Sequence, residues 1–193
     1  IIMKYIHLDR DLQIKVFENS SFRIIRDPYC KNNKNTGIQF LLLKQGISLD
    51  VVYADILKNL DLELEIIIKH EAKNTKSTLI SRIILEEGAK FNFCGNISIA
   101  SEAGESSGVL ETKALITGRN ALWKTKPNLQ ISSKSAMATH KAIITNLNRD
   151  HLKYLENRGI YLEEGKGILK KAFLLETTTS EIEQEKILKE LGL

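Results

Sequence analysis

The side chain with the most chemical scope is His140, within the alternating stretch from Ala138 to Ile144. Read as a short strand, that stretch puts Ala138, His140, Ala142 and Ile144 on one face. An imidazole among small apolar neighbours would have room beside it and a low dielectric around it. Neutral imidazole is a good ligand for iron. The plainer reading is a core histidine satisfied by one backbone hydrogen bond. His70 extends the alternation of Leu64, Ile66 and Ile68 and reads as a half-buried histidine at a strand end. Cys94, between Phe93 and Gly95, could supply a thiolate to iron or sulfide, but one cysteine cannot hold a cluster that usually takes four. It reads first as an ordinary strand thiol. Cys30 sits beside a polar loop and carries no expectation, and Trp123 and Tyr154 read as packing residues.

Several chemistries are missing. The sequence has no nucleophile triad, no phosphate-binding glycine loop and no HExxH helix; Gly118-Arg119-Asn120 is a turn. No pair of acids stands out for glycoside cleavage, and aromatics at 6% make a poor carbohydrate groove. Two cysteines without a CxxC pair exclude a disulfide scaffold and a zinc ribbon. No apolar run approaches the ~20 residues of a membrane-spanning helix. The net charge of +4 is spread over 193 residues, with 8 basic and 9 acidic residues from Arg149 onward. No basic cluster accompanies stacking rings, so neither nucleic acid nor membrane is expected as a partner. The first ten residues lack the basic and apolar regions of a secretory signal, which points to a reducing cytoplasm and free thiols. The opening Ile1-Ile2-Met3 suggests a trimmed start.

The elements that would position His140 are strands. Phe22 to Ile25 is a short candidate, followed by a polar loop from Asp27 to Gly37. From Leu60 to Lys69, Leu60, Leu62, Leu64, Ile66 and Ile68 alternate with mostly polar residues, the period of a strand with one buried face. A repeat then appears. Ile84, Ile99, Ile116 and Ile131 each end an apolar stretch, are followed by a polar or glycine-bearing turn, and then by Ala89, Ala103, Ala121 or Ala136. The isoleucines lie 15, 17 and 15 residues apart. Such a step marks a solenoid, each step winding two short strands and two turns. The predicted fold is all-β, a parallel β-helix core over residues 1–147, right-handed by the usual preference of parallel crossovers. An antiparallel sandwich is the alternative.

At Asn148 the pattern becomes helical, giving a C-terminal region over residues 148–193. Asn148 caps a helix from Arg149 to about Asn157, and Gly159 is placed to end it. A second helix is predicted from Leu162 to Leu175 with Ile168, Leu169, Ala172 and Phe173 as its stripe. A third follows, with Ser180 and Glu183 as a capping box, Ile182, Leu188 and Leu191 as its apolar side and Gly192 at its end.

Four blocks in order carry a resemblance. They are Thr125-Lys126-Pro127-Asn128-Leu129-Gln130-Ile131, Thr139-His140-Lys141-Ala142, His151-Leu152-Lys153-Tyr154-Leu155-Glu156-Asn157-Arg158-Gly159-Ile160, and Ala172-Phe173 with Glu176. Together they resemble the SufB/SufD family, scaffold subunits of the SUF system for iron–sulfur cluster assembly. The resemblance covers roughly Leu60 to Phe173. It implies a non-enzymatic scaffold with a parallel β-helix core and a helical end that binds a SufC-type ABC ATPase. Leu152, Tyr154, Leu155, Arg158, Gly159 and Phe173 are the partner-binding residues it implies. It also implies a transient cluster or iron handled near His140, and the exposed edges of a β-helix call for end caps or for a dimer through its coils, with a SufB-like subunit or a second copy. The turn Gly118 to Ala121 lacks the cysteine of the SufB branch, and Lys141 stands where that branch has glutamate, so the chain reads as a short SufD-like member. The remaining alternatives are a carbohydrate-binding or carbohydrate-active solenoid and a paralogue that only binds proteins.

Overall fold

The computed structural model describes residues 3–26, 36–177 and 181–191. Its strands are β1 (Met3–His7), β2 (Leu12–Val16), β3 (Ser20–Ile25), β4 (Thr36–Leu42), β5 (Ser48–Leu57), β6 (Asp61–His70), β7 (Lys76–Leu85), β8 (Lys90–Ile99), β9 (Ser107–Ile116), β10 (Leu122–Ile131) and β11 (Met137–Asn146). Odd-numbered strands form one sheet and even-numbered strands the other. Every pairing is parallel. The chain thus alternates between two sheets and climbs by one strand in each, as the predicted β-solenoid requires.

The repeat has a different meaning from the one expected. One step of 15–17 residues holds a single strand of ten residues and one turn, so a coil takes two steps. Ser77 pairs with Gly108 and Gly108 with Ala138, residues 31 and 30 apart. Ten residues at ~3.3 Å each already span about 33 Å. Only five to seven residues of each step remain, enough for one turn.

Turns stack as regularly as strands. Asn59, Gly88 and Asn120 all adopt left-handed backbone, with φ of 49°, 64° and 57°. They form one column tied by Asn59 N–H to Glu87 O (2.7 Å) and Gly88 N–H to Arg119 O (3.0 Å). The repeat's alanines follow, and Ala89 and Ala103 are fully buried where the chain re-enters the core. Gly118 meets the tightest constraint: a Cβ there would lie 2.0 Å from Glu87 N.

Inward residues fill the space between the sheets. Phe40, Tyr53, Phe91 and Phe93 are its bulkiest members, with Phe22 against Phe40 at 5.3 Å and Phe91 against Phe93 at 5.8 Å between ring centres. Asp55 is also buried there, paired with Arg26 at 2.6 Å and accepting from the Tyr53 hydroxyl at 3.1 Å.

Three helices follow: α1 (Arg149–Glu156), α2 (Leu162–Leu175) and α3 (Glu181–Glu190). Asn148 caps α1 by accepting from Asp150 N–H at 2.8 Å, and Gly159 takes φ 82° just after it. The end of α2 lies on the outer face of the odd sheet, where Phe173 and Leu174 meet Ala54, Ile84 and Leu115. This explains the apolar runs at odd-strand ends, such as Ile83-Ile84-Leu85, which break the alternation because both faces are covered. The buried stripe of α2 is therefore Phe173 with Leu174, while Ile168 and Ala172 are exposed, a rotation from the stripe expected. Ion pairs set it: Lys170 to Glu86 at 2.6 Å and Glu176 to Lys113 at 2.8 Å and to Arg82 at 3.5 Å. Arg82, 4% exposed, also pairs with Glu111. Burial would raise the Glu111 carboxyl, but Arg82, Lys113 and Lys141 outweigh it and hold it below its ordinary range. In α3, Ile187 is fully buried and Leu191 joins the contact with the sheet. The loop carrying Cys30, the capping box of Ser180 and Glu183, and Gly192 lie outside the described residues, as does the Ile182 side chain.

Candidate functional site

Register places His140. It sits opposite Leu110 on β9, with Ala138 opposite Gly108 and Ala142 opposite Thr112. Gly108, Leu110 and Thr112 are buried, so His140 occupies an inward position, as the alternation predicted. The expected low-dielectric surroundings are absent. β11 pairs with β9 alone, and β10 with β8 alone, so among the described residues no coil stacks on them. His140 and Ala142 are exposed, and Ile131, Met137 and Ile144 are 41%, 70% and 57% exposed around them. The core face of the last coil is open, and both strands carry unpaired backbone groups along one edge. Trp123 Nε1 and Thr125 Oγ1, on the inward face of β10, are buried without a hydrogen-bond partner.

Among the described residues no group of three or more His, Cys, Asp or Glu could hold a metal ion. His140 is a single nitrogen donor at this end, so the chain's own described residues do not complete a metal or cluster site.

His70 is fully buried rather than half-buried. Its Nδ1 lies 2.7 Å from Thr75 Oγ1 and its Nε2 2.8 Å from Ser77 Oγ. Thr75 in turn meets Ser106 Oγ at 2.9 Å in the equivalent turn of the next coil. Burial lowers the His70 pKa from 6.5 to about 4, so the ring is neutral and serves the core. Both ring nitrogens are occupied, which leaves none for a metal.

Cys94 faces outward on the even sheet, in register between Glu65 and Lys126. Burial and the Glu65 carboxylate push its thiol up, against Asn96 and Lys126, which makes it a weak nucleophile at neutral pH. It lies in a groove of about 840 Å³ whose walls include Glu63, Glu65, Lys124 and Lys126. No sequence motif announced this groove, because its walls come from residues about thirty apart.

The helical residues divide into two groups. Tyr154 is 57% exposed and lies under the Arg158 guanidinium, 4.9 Å from its ring centre. Tyr161 and Leu162 are 83% and 42% exposed beside them. Leu152 and Leu155 are half-buried against Gly165 of α2, and Gly159 lets the chain turn between the helices. Phe173 is buried on the solenoid, so here it anchors the helices instead of offering a free surface.

The chain is a parallel β-solenoid with an open end and a helical flank. Comparison with known proteins is specific. Residues 37–173 match the family described as "SUF system FeS cluster assembly, SufBD core domain". The chain belongs to the SufBD family. It is 27% identical over 141 residues to the iron-sulfur cluster assembly protein SufB of Bacillus subtilis, covering 73% of this chain and 30% of that protein. It is 26% identical to the SufBD family protein ycf24 of Galdieria sulphuraria, over 57% of this chain and 50% of the relative. The chloroplastic protein ABCI7 of Arabidopsis thaliana is 30% identical over 60% of this chain and 24% of its own length. The chain spans half or less of the length of these relatives. No helix among the described residues is long and apolar enough to cross a membrane.

Proposed function

We propose that this chain is a non-enzymatic, SufD-like scaffold in iron–sulfur cluster assembly, acting in a reducing cytoplasm. Its open solenoid end pairs with a second solenoid, either a SufB-like subunit or another copy. The helical flank of α1 and α2 docks a SufC-type ATPase through Tyr154, Arg158 and the exposed residues beside them, while Phe173 couples that flank to the solenoid. His140 contributes one ligand to iron or a cluster carried as cargo, and the paired chain supplies the rest.

One observation carries this reading: the stretch matching the SufBD core contains the last coil, whose core face is uncovered, with an inward-phase histidine on it. An uncovered apolar face with two unpaired edges calls for another protein surface. The half-buried Leu152 and Leu155 hold Tyr154 and Arg158 on a firm platform, the arrangement expected of an interface anchor.

Co-purification tests the partner. The intact chain should retain a SufC-type ATPase, and removing residues after Asn148 should abolish retention. A full-length SufD that binds the same ATPase while this chain does not would defeat the claim. Replacing His140 by alanine should lower cluster transfer by the assembled complex; unchanged transfer would reduce the chain to a protein-binding paralogue.

A further inference from the structure

The outer face of the even sheet has no helix on it among the described residues, since the contact of α2 and α3 is with the odd sheet. Two adjacent rows of its side chains are sorted by charge. In them β6 carries Glu63 and Glu65, β8 carries the neutral Asn92 and Cys94, and β10 carries Lys124 and Lys126, while in the row before them Lys90 of β8 pairs with Asp61 of β6 at 3.4 Å. Register aligns them in rows: Glu63, Asn92, Lys124 in one and Glu65, Cys94, Lys126 in the next. The acids lean on the amides of β8, with Asn92 Nδ2 2.9 Å from Glu63 and Asn96 Nδ2 2.8 Å from Glu65. Neither lysine has an ion-pair partner among the described residues.

We infer that this face pairs with the same face of a second copy of the chain, about a twofold axis running along β8. A two-fold interface uses the same patch on both partners, so the patch must complement itself. Two axes in the plane of the sheet would bring the faces together. An axis across the strands sets β6 over β6 and acid against acid, which repels. An axis along β8 exchanges left for right and keeps each row in place. Lys124 of the second copy then lies over Glu63, and Lys126 over Glu65, with the reciprocal pairs on the other side. Cys94 falls beside the axis, facing its counterpart across the groove.

The overlap is limited to β6, β8 and β10. Three strands ~4.8 Å apart and ~33 Å long give about 480 Å² per copy, or about 950 Å² in all. That is below the ~1,200 Å² of stable complexes and suits a weak, reversible dimer. Exposed ion pairs are screened by salt, so association should fall as ionic strength rises. This face is separate from the open end assigned above to partner pairing. Strand pairing at that end rests on backbone hydrogen bonds and would survive charge reversal on the even sheet.

Sedimentation velocity on two folded variants separates these cases, with far-UV circular dichroism as the folding control. Lys124→Glu/Lys126→Glu makes both ends of the two rows acidic, and Glu63→Lys/Glu65→Lys makes both ends basic. The wild type should associate at tens of micromolar in low salt, each variant alone at least tenfold more weakly, and an equimolar mixture more strongly than the wild type. In a Cys30→Ser background, a short bis-maleimide should join Cys94 to Cys94 in the wild-type face, and the yield should collapse in either variant. Wild-type association that both variants retain, a wild type that stays monomeric, or a mixture no stronger than its parts would overturn the proposal.

Discussion

Acid should destabilise this protein through one buried ring. His70 is fully buried, with a hydroxyl on each nitrogen and a pKa lowered to about 4 by desolvation. In the unfolded chain it returns to about 6.5. Between those values the folded chain binds fewer protons than the unfolded one. The stabilisation is complete above pH 6.5, declines as pH falls toward 4, and is gone below the folded value. A gap of about 2.5 pH units at 1.36 kcal/mol each comes to about 3 kcal/mol, a large part of the stability of a domain this size. The assay is urea unfolding followed by far-UV circular dichroism from pH 7 to pH 4, comparing the wild type with His70→Gln. Glutamine keeps polar atoms near Thr75 and Ser77 but does not titrate, and carboxylates shared by both chains cancel in the difference. The wild-type advantage should shrink by about 3 kcal/mol across the range. A difference that stays flat would refute the reasoning, because the ring would then accept its proton in the fold at no cost.

Two further substitutions probe the frame. Gly118→Ala drives a methyl into the Glu86–Glu87 backbone and should cost about 1–3 kcal/mol by thermal melting, whereas alanine at the open, helical Gly167 should raise the melt by about 2–4 °C. Phe173→Ala should cost about 3 kcal/mol and speed tryptic cleavage at Lys170 and Lys171, while the solenoid's circular dichroism persists.

Much of the fold was legible because a strand with one buried face has a period that side chains cannot hide. Leu62, Leu64, Ile66 and Ile68 mark it directly, and the alanines after each turn mark where the chain re-enters the core. The limits of α2 were legible too, but not its buried stripe, since Lys170, Glu176 and their partners on the sheet fix its rotation. Turn spacing alone did not distinguish one strand per step from two. The phase of His140 was readable, while its exposure was not, because alternation is the same in a middle coil and in the last one. The rows across Glu63, Asn92 and Lys124 needed the register itself: β6 to β8 is an offset of 29 residues there and β8 to β10 one of 32.

The gradual thinning of burial along the stack has a thermodynamic consequence. Strands β5 to β8 hold many fully buried side chains, whereas β10 and β11 hold none. In a quasi-linear array each coil depends mainly on its neighbours, so cooperativity is greatest in the middle and weakest at the terminal rung. The rung with the least protection against local opening is the one left free for association. Any chain that clamped it would act as a missing end cap, and its binding energy would appear as resistance to fraying several coils away.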